Sequence, residues 1–280
     1  MVAPSGGVGQ DAAPNGYTAP MDDTPAPLPP ADPPARPRSR HIYLLPNLLT
    51  TANMFAGFYA ILAAANGQFV AACVAVLVAA VFDGLDGRVA RMTGTTSEFG
   101  VQYDSLCDLL SFGVAPALVM YHWALAQLAL DGNVWAKVGW AAAFLYVACA
   151  ALRLARFNVS AGSTDKRWFI GLASPASAGT LIAVVWCFTE LGYSGDQMRW
   201  VALLVTVACA LLMVSRIRFF SFRAWPGDRV PFWFLLLIVA VIIALLIDAP
   251  KVIFGVAVVY VLSGPVGWLW QRRRGAAGAP

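Results

Sequence analysis

An all-α, polytopic membrane bundle of about eight transmembrane helices, with both termini on the cytoplasmic side, is the fold class this sequence predicts. Composition is the first reason: 59% of the 280 residues are hydrophobic and 12% are charged, against roughly 45–50% and about 25% in soluble domains. Segment length is the second. A membrane helix needs about 20 mostly apolar residues to cross about 30 Å of hydrocarbon, and eight stretches qualify, near 47–65, 69–91, 101–128, 134–157, 174–192, 198–215, 232–248 and 252–270. Charge placement is the third. If all eight cross, every Lys and Arg except Lys137, Arg199 and Lys251 falls on the N-terminal side, 16 of the 19, the asymmetry expected of cytoplasmic segments.

The elements follow in order. Residues 1–38 hold ten of the 18 prolines and no apolar run, so they bury too little to offset ordering and read as a disordered cytoplasmic tail. Their start lacks the charged, apolar and small-residue regions of a signal peptide. Short polar gaps then separate the spans: Asn66-Gly67-Gln68, Met92 to Thr95, Asp131-Gly132, Gly162 to Asp165, Gly192 to Asp196, Trp225 to Asp228 and Asp248-Ala249-Pro250, all rich in turn formers. Trp123, Trp135, Trp140, Trp168, Trp200, Trp225, Trp268 and Trp270 fall near predicted span ends, where interfacial anchors belong. Cys73, Cys107, Cys149, Cys187 and Cys209 stand singly in apolar runs and read as small buried hydrophobes rather than disulfide or zinc ligands. The net charge of +4 is too small and dispersed for a nucleic-acid partner.

Within this apolar frame four carboxylates need an explanation, since each costs at least about 2.5–3.5 kcal/mol inside a membrane helix. Asp83 and Asp86 are spaced i, i+3, and Asp104 and Asp108 i, i+4, so each pair faces one side of its helix. Two antiparallel helices joined by the short turn between them would gather all four near the cytoplasmic surface. Such a cluster repels itself unless a strong positive charge sits within it. Oxygen ligands without His or Cys point to Mg²⁺ or Mn²⁺, and a pair of such ions suits displacement at phosphorus. Arg91 would hold a phosphate oxygen. Gly87 and Gly100 remove side chains where a ligand or a facing helix approaches. His41 and His122 are poorly placed as catalysts, and no Ser/His or Cys/His pair supports a covalent nucleophile.

The run Asp83-x2-Asp86-Gly87-x2-Ala90-Arg91-x8-Gly100-x3-Asp104-x3-Asp108 resembles the signature of the CDP-alcohol phosphotransferases at every fixed position. The resemblance implies that the four Asp hold two divalent cations on the CDP pyrophosphate and that Asp108 is also the general base. Gly87, Ala90, Arg91, Gly100 and Ser97 would line the CDP-diacylglycerol site. It further implies a six-helix catalytic core over 39–215, two additional C-terminal helices over 216–271 and a tail from 272 that opens on Arg272 to Arg274. A homodimer in the inner (cytoplasmic) membrane, its active site facing the cytoplasm, is implied as well.

Three more stretches are similar to the bacterial phosphatidylserine synthases of that family: Leu45 to Asn53, Arg153-Leu154-Ala155-Arg156-Phe157-Asn158, and Gly171-Leu172-Ala173-Ser174-Pro175. Ala173 departs from the usual Pro. Asn47, Thr50 and Asn53 share one helical face (i, i+3, i+6), either for substrate contact or for interhelical hydrogen bonds; Asn47 and Thr50 are assigned to the donor and Asn53 to serine. Arg153, Arg156 and Asn158 would meet the carboxylate and polar groups of L-serine, or anchor the helix end at the cytoplasm. The expected reaction is therefore phosphatidyl transfer from CDP-diacylglycerol to L-serine. Glycerol 3-phosphate, an inositol phosphate or choline are alternative acceptors. A cation transporter using the Asp cluster is the remote alternative, disfavoured because spans five to eight offer almost no polar residues at depth.

Overall fold

The computed structural model describes residues 44–94, 97–160, 168–220 and 232–277; the predicted tail 1–38 and the polar gaps at 162–165 and 225–228 lie outside them. The protein is an all-α bundle. Helix α1 (Leu44–Ala65) packs along α2 (Phe69–Thr93), and small residues make the approach close: Ala56, Ala60, Ala63 and Ala64 from α1 are buried in one core with Ala72, Cys73, Ala75 and Ala79 from α2. Small side chains let membrane helices gain van der Waals contact where no hydrophobic force drives them together. All five cysteines are buried and unpaired.

The third stretch is segmented into α3 (Glu98–Asp108), a π-helical segment (Leu109–Val114), α4 (Ala115–Trp123) and a 3-10 segment (Leu125–Asp131). Pro116, in the first turn of α4, explains part of this. It cannot donate to the carbonyl of Phe112 and its ring crowds that carbonyl, and a widened turn is the usual relief. The Tyr146 hydroxyl donates to the Phe112 carbonyl instead, at 3.3 Å. Tyr146 belongs to α5 (Asn133–Ser160), which is followed by α6 (Ser174–Glu190), α7 (Gly195–Val214) and α8 (Phe232–Ala277). Two three-residue strands, β1 (Trp168–Ile170) and β2 (Arg218–Phe220), pair antiparallel. Beside them the Gly171 and Leu172 amides donate to the Ile217 and Leu212 carbonyls at 2.8 and 3.0 Å, tying the start of α6 to the end of α7.

Among the described residues, six helical stretches are long and apolar enough to cross a membrane: α1, α2, the composite Glu98–Asp131, α5, α7 and Val239–Trp268 within α8. The expected count of eight is not reached by that measure, for two reasons. Helix α6 has 17 residues, the lower limit of spanning length of about 17–25. The last two expected spans fall within the single element α8, interrupted at Asp248 (φ −152°, ψ 77°). There the Asp248 carboxylate accepts from the Lys251 amide at 3.2 Å, as an N-cap does, so Asp248-Ala249-Pro250 restarts a helix rather than making a loop. α8 also stays helical through Arg272–Arg274 to Ala277, where a tail was expected.

Large apolar side chains such as Phe55, Phe144, Leu204, Leu246 and Val259 are exposed, and Gly264 alone is buried in the apolar stretch Val239–Trp268 of α8. Lipid is the solvent such surfaces fit. Trp135, Trp140, Trp200 and Trp268 are exposed as anchors should be, whereas Trp123 is buried at 4% exposure and is a core residue. Two of the three cations on the sparse side are neutralised: Arg199 pairs with Asp131 at 2.6 Å and Lys251 with Asp248 at 2.5 Å.

Candidate active site

The acidic motif occupies the end of α2 and the whole of α3. Gly94 closes α2 in the left-handed region (φ 62°), which a residue without Cβ enters freely. Ser97 then opens α3, its Oγ accepting from the Gly100 amide at 3.0 Å. This tight reversal brings carboxylate oxygens of Asp83, Asp104 and Asp108 within 4.8 Å of one another, all three half-buried. Asp86 is not one of those three but stands within electrostatic reach of Asp104. Three residues leave Asp83 and Asp86 about 60° apart around the helix, enough to turn Asp86 toward α1. Its Oδ2 accepts from Thr50 Oγ1 at 2.8 Å, and the residue is buried. Asp108 Oδ1 accepts from Asn53 Nδ2 at 3.2 Å. Of the interfacial alternatives for the α1 face, Thr50 and Asn53 thus make interhelical hydrogen bonds.

A cavity of about 160 Å³ adjoins the acidic group. Every residue expected at the nucleotide lines it: Asn47, Thr50, Gly87, Ala90, Arg91, Ser97 and Gly100, together with Asp86 and Asp104. Two glycines earn their place by close approach. A Cβ on Gly100 would meet Ser97 Oγ at 3.1 Å and Asn47 Oδ1 at 3.9 Å, and one on Gly87 would touch the Arg91 guanidinium at 3.4 Å. Bare backbone there keeps the cavity open and lets Arg91 lie across the turn.

Of the residues expected to meet serine, Asn53 lies on α1 against Asp108, and Arg153, Arg156 and Asn158 sit on the α5 side of α3. Asn158 Nδ2 donates to Ser105 Oγ at 2.9 Å, docking the end of α5 onto the helix that carries Asp104 and Asp108. Arg153 donates to Ser174 Oγ at 2.8 Å, while its Nε is buried without a partner among the described residues. Asp108 is within electrostatic reach of Arg153. Arg156 is exposed and donates to the Val214 carbonyl at 3.4 Å. Helix α3 therefore separates the cavity from a cationic pair, with the three clustered carboxylates on it and facing it.

These residues fit a divalent metal. The donor set is all carboxylate oxygen, as hard cations prefer, and Asp104 Oδ1 is buried with no hydrogen-bond partner among the described residues, a state that costs about 1–3 kcal/mol for a protein that offers it nothing. Asp83, Asp104 and Asp108 can hold such an ion.

Several contributors carried no sequence signal strong enough to single out. Pro46 and Val101 line the cavity, and Thr51 Oγ1 and Tyr103 Oη share a hydrogen bond of 2.9 Å that joins α1 to α3. Ser111, a polar residue in an apolar run, was not singled out either; its Oγ donates to the Asn53 carbonyl at 3.0 Å.

Comparison with known proteins reaches the same region of the chain. The family model described as CDP-alcohol phosphatidyltransferase matches residues 43–212, a range holding α1 to α6, all but the last two residues of α7 and every site residue above. A CDP-diacylglycerol–serine O-phosphatidyltransferase of Helicobacter pylori is 35% identical over 229 residues, covering 82% of this chain and 92% of that protein. One of Mycobacterium leprae is 36% identical over 65% of this chain and 61% of its own length. An archaetidylserine synthase of Methanothermobacter thermautotrophicus is 36% identical over 62% of this chain and 69% of its own. With the acidic motif, its cavity and this match in agreement, the chain belongs to the CDP-alcohol phosphatidyltransferase family.

Proposed function

We propose that the protein transfers a phosphatidyl group from CDP-diacylglycerol to L-serine, giving phosphatidylserine and CMP. The observation that carries this reading is the arrangement around α3: three carboxylates within 4.8 Å, the cavity on one flank, and Arg153 with Asn158 on the other. The names of the relatives, which are serine transferases and an archaetidylserine synthase, favour serine over glycerol 3-phosphate, an inositol phosphate or choline.

In this reading Asn47, Thr50, Gly87, Ala90, Arg91, Ser97 and Gly100 bind the CDP moiety, Arg91 by a charge-assisted fork to a phosphate oxygen. Asp83, Asp86, Asp104 and Asp108 hold two divalent cations, Mg²⁺ or Mn²⁺. When bound, these supply charge neutralisation at the pyrophosphate and at the departing CMP oxygen. Arg153 pairs with the serine carboxylate, and Arg156 and Asn158 complete the acceptor side. Asp108 accepts the proton of the serine hydroxyl as that oxygen bonds to the β-phosphorus; the bond from this phosphorus to the CMP oxygen breaks. Positioning and electrostatics carry most of the catalysis, as in phosphoryl transfer generally. The Lys/Arg asymmetry supports a cytoplasm-facing site in the inner membrane, and the family resemblance supports a homodimer.

The test is CMP release by the purified protein in detergent with CDP-diacylglycerol and Mn²⁺ or Mg²⁺, each acceptor offered separately. Release with serine alone is the expected result. Release with another acceptor overturns the serine assignment, and release with none overturns the transferase reading for these substrates.

A further inference from the structure

Asn53 has the bonding pattern of a residue that serves another side chain rather than a substrate. It is fully buried and does not line the cavity. Its Nδ2 donates to Asp108 Oδ1 at 3.2 Å. A carboxylate only accepts, so chemistry fixes which end of the amide faces Asp108. The opposite end, Oδ1, is buried with no partner among the described residues, a desolvation cost that an apolar residue would avoid at this point of α1.

The backbone of Asn53 is fixed as well. Ser111, three residues beyond Asp108 and within the π-helical segment, donates to the Asn53 carbonyl at 3.0 Å. One turn further along α1, Gly57 is bare where Ser111 crosses; a Cβ there would lie 2.4 Å from Ser111 Oγ and 2.8 Å from its Cα. Thr50, one turn back on the same face, holds Asp86 at 2.8 Å. One face of α1 thus registers both halves of the acidic motif, Asp86 on α2 and Asp108 on α3.

We propose that Asn53 is a positioning residue: by holding Oδ1 it sets the rotation of the Asp108 carboxylate, and so the direction in which that group meets a metal ion and the acceptor proton. The catalytic part of this rests on the role given to Asp108 above; the metal-binding part does not depend on serine being the acceptor.

Asn53→Leu removes the donor at similar size, and Asn53→Asp keeps the shape but puts an acceptor where a donor is needed. Both are made in the full chain, and rates are expressed per CDP-binding site titrated with CDP. The expected result in both is a kcat lowered about 10–100-fold with KM for serine and for CDP-diacylglycerol retained, and Mn²⁺ affinity, read by electron paramagnetic resonance, weakened to a similar degree. Wild-type kcat and Mn²⁺ affinity in Asn53→Leu overturn the proposal. So does a raised KM for serine at unchanged kcat, which would make Asn53 a substrate contact. Loss of CDP sites in both variants overturns it in favour of a purely structural role. If the wild type releases no CMP with serine, the proposed function fails while the Mn²⁺ measurement still decides the role of Asn53.

Discussion

Gly57→Ala tests whether the contact between α1 and the π-helical segment sets the geometry of the carboxylates. The added methyl would lie 2.4, 2.8 and 3.0 Å from Ser111 Oγ, Cα and Cβ. Non-bonded carbons rest at about 3.5–4.0 Å, so one element must retreat by about 1 Å. A rotamer change of Ser111 relieves the contact to Oγ but not the one to Cα, so backbone moves. The Asn53–Asp108 bond, at 3.2 Å, is already at the long end of the normal range of about 2.7–3.2 Å and breaks with that shift. A misplacement of about 1 Å remote from the chemistry can lower turnover about 100-fold, or about 2.7 kcal/mol of barrier; overpacking adds about 1–3 kcal/mol of lost stability. The assay is kcat for CMP release beside thermal unfolding in detergent. Gly179→Ala on α6, with nothing within 4 Å of the new Cβ, is the control and keeps wild-type values. Ser111→Gly in the Gly57→Ala background removes two of the three clashes and recovers part of the loss. Wild-type turnover and melting temperature in Gly57→Ala would refute the reasoning.

Asp108→Asn keeps the shape and the side chain's place beside Asn53 but removes the base; turnover falls by about 10²–10⁴-fold, while CDP titration shows the nucleotide cavity retained. Arg153→Ala raises KM for serine and leaves KM for CDP-diacylglycerol unchanged, because Arg153 lies on the α5–α6 flank of α3, away from the cavity; steady-state kinetics with each substrate varied separates the two. Chelation by EDTA abolishes CMP release and lowers the melting temperature. Excess Mn²⁺ or Mg²⁺ restores both, the stabilisation reaching about 2.7 kcal/mol at 100 times the dissociation constant; a melting temperature indifferent to metal counts against the acidic group as a metal site.

The donor half of the site was legible because its information is local. The residues that the family resemblance assigns to the donor, on two consecutive helices and on α1, all line the cavity beside Pro46 and Val101, which carried no such signal, and Gly100 against Ser97 and Asn47 shows why that glycine is there. The hydrogen bond from Thr50 to Asp86 was not legible, since the members of an i, i+3 pair look alike until a third helix supplies a donor to one of them. The segmentation of Glu98–Asp131 was hidden for a related reason. Hydropathy reads this stretch as one span, while the break depends on Pro116 and on a Tyr146 hydroxyl from α5. Trp123 sits at a helix end like any interfacial anchor, yet the first turn of α7 closes over its backbone, where a Cβ on Gly195 would lie against the Trp123 carbonyl. Each of these depends on a partner distant in sequence.

Helix α8 shows how far the site extends beyond the stretch matched by the family. That match ends at residue 212, which would leave α8 as a membrane anchor and nothing more. Its inward side does more than that. Phe254 meets Phe188 of α6 edge to face at 5.7 Å, and Tyr260 lies 5.8 Å from Phe219, itself fully buried and pressed on Gly264. Tyr260 is also within electrostatic reach of Arg153. Through Phe219 and the β1–β2 pair, α8 braces the junction at which α6 begins, and there Ser174 accepts the hydrogen bond from Arg153. The cavity is built by α1, α2 and α3, of which α2 and α3 carry the family's motif; Arg153 and Ser174, on the proposed acceptor side, belong to α5 and α6 with α8 behind them. Changes in α8 therefore reach Arg153 and the start of α6 before they reach the cavity, and on the proposed reading they alter the KM for serine before the KM for CDP-diacylglycerol.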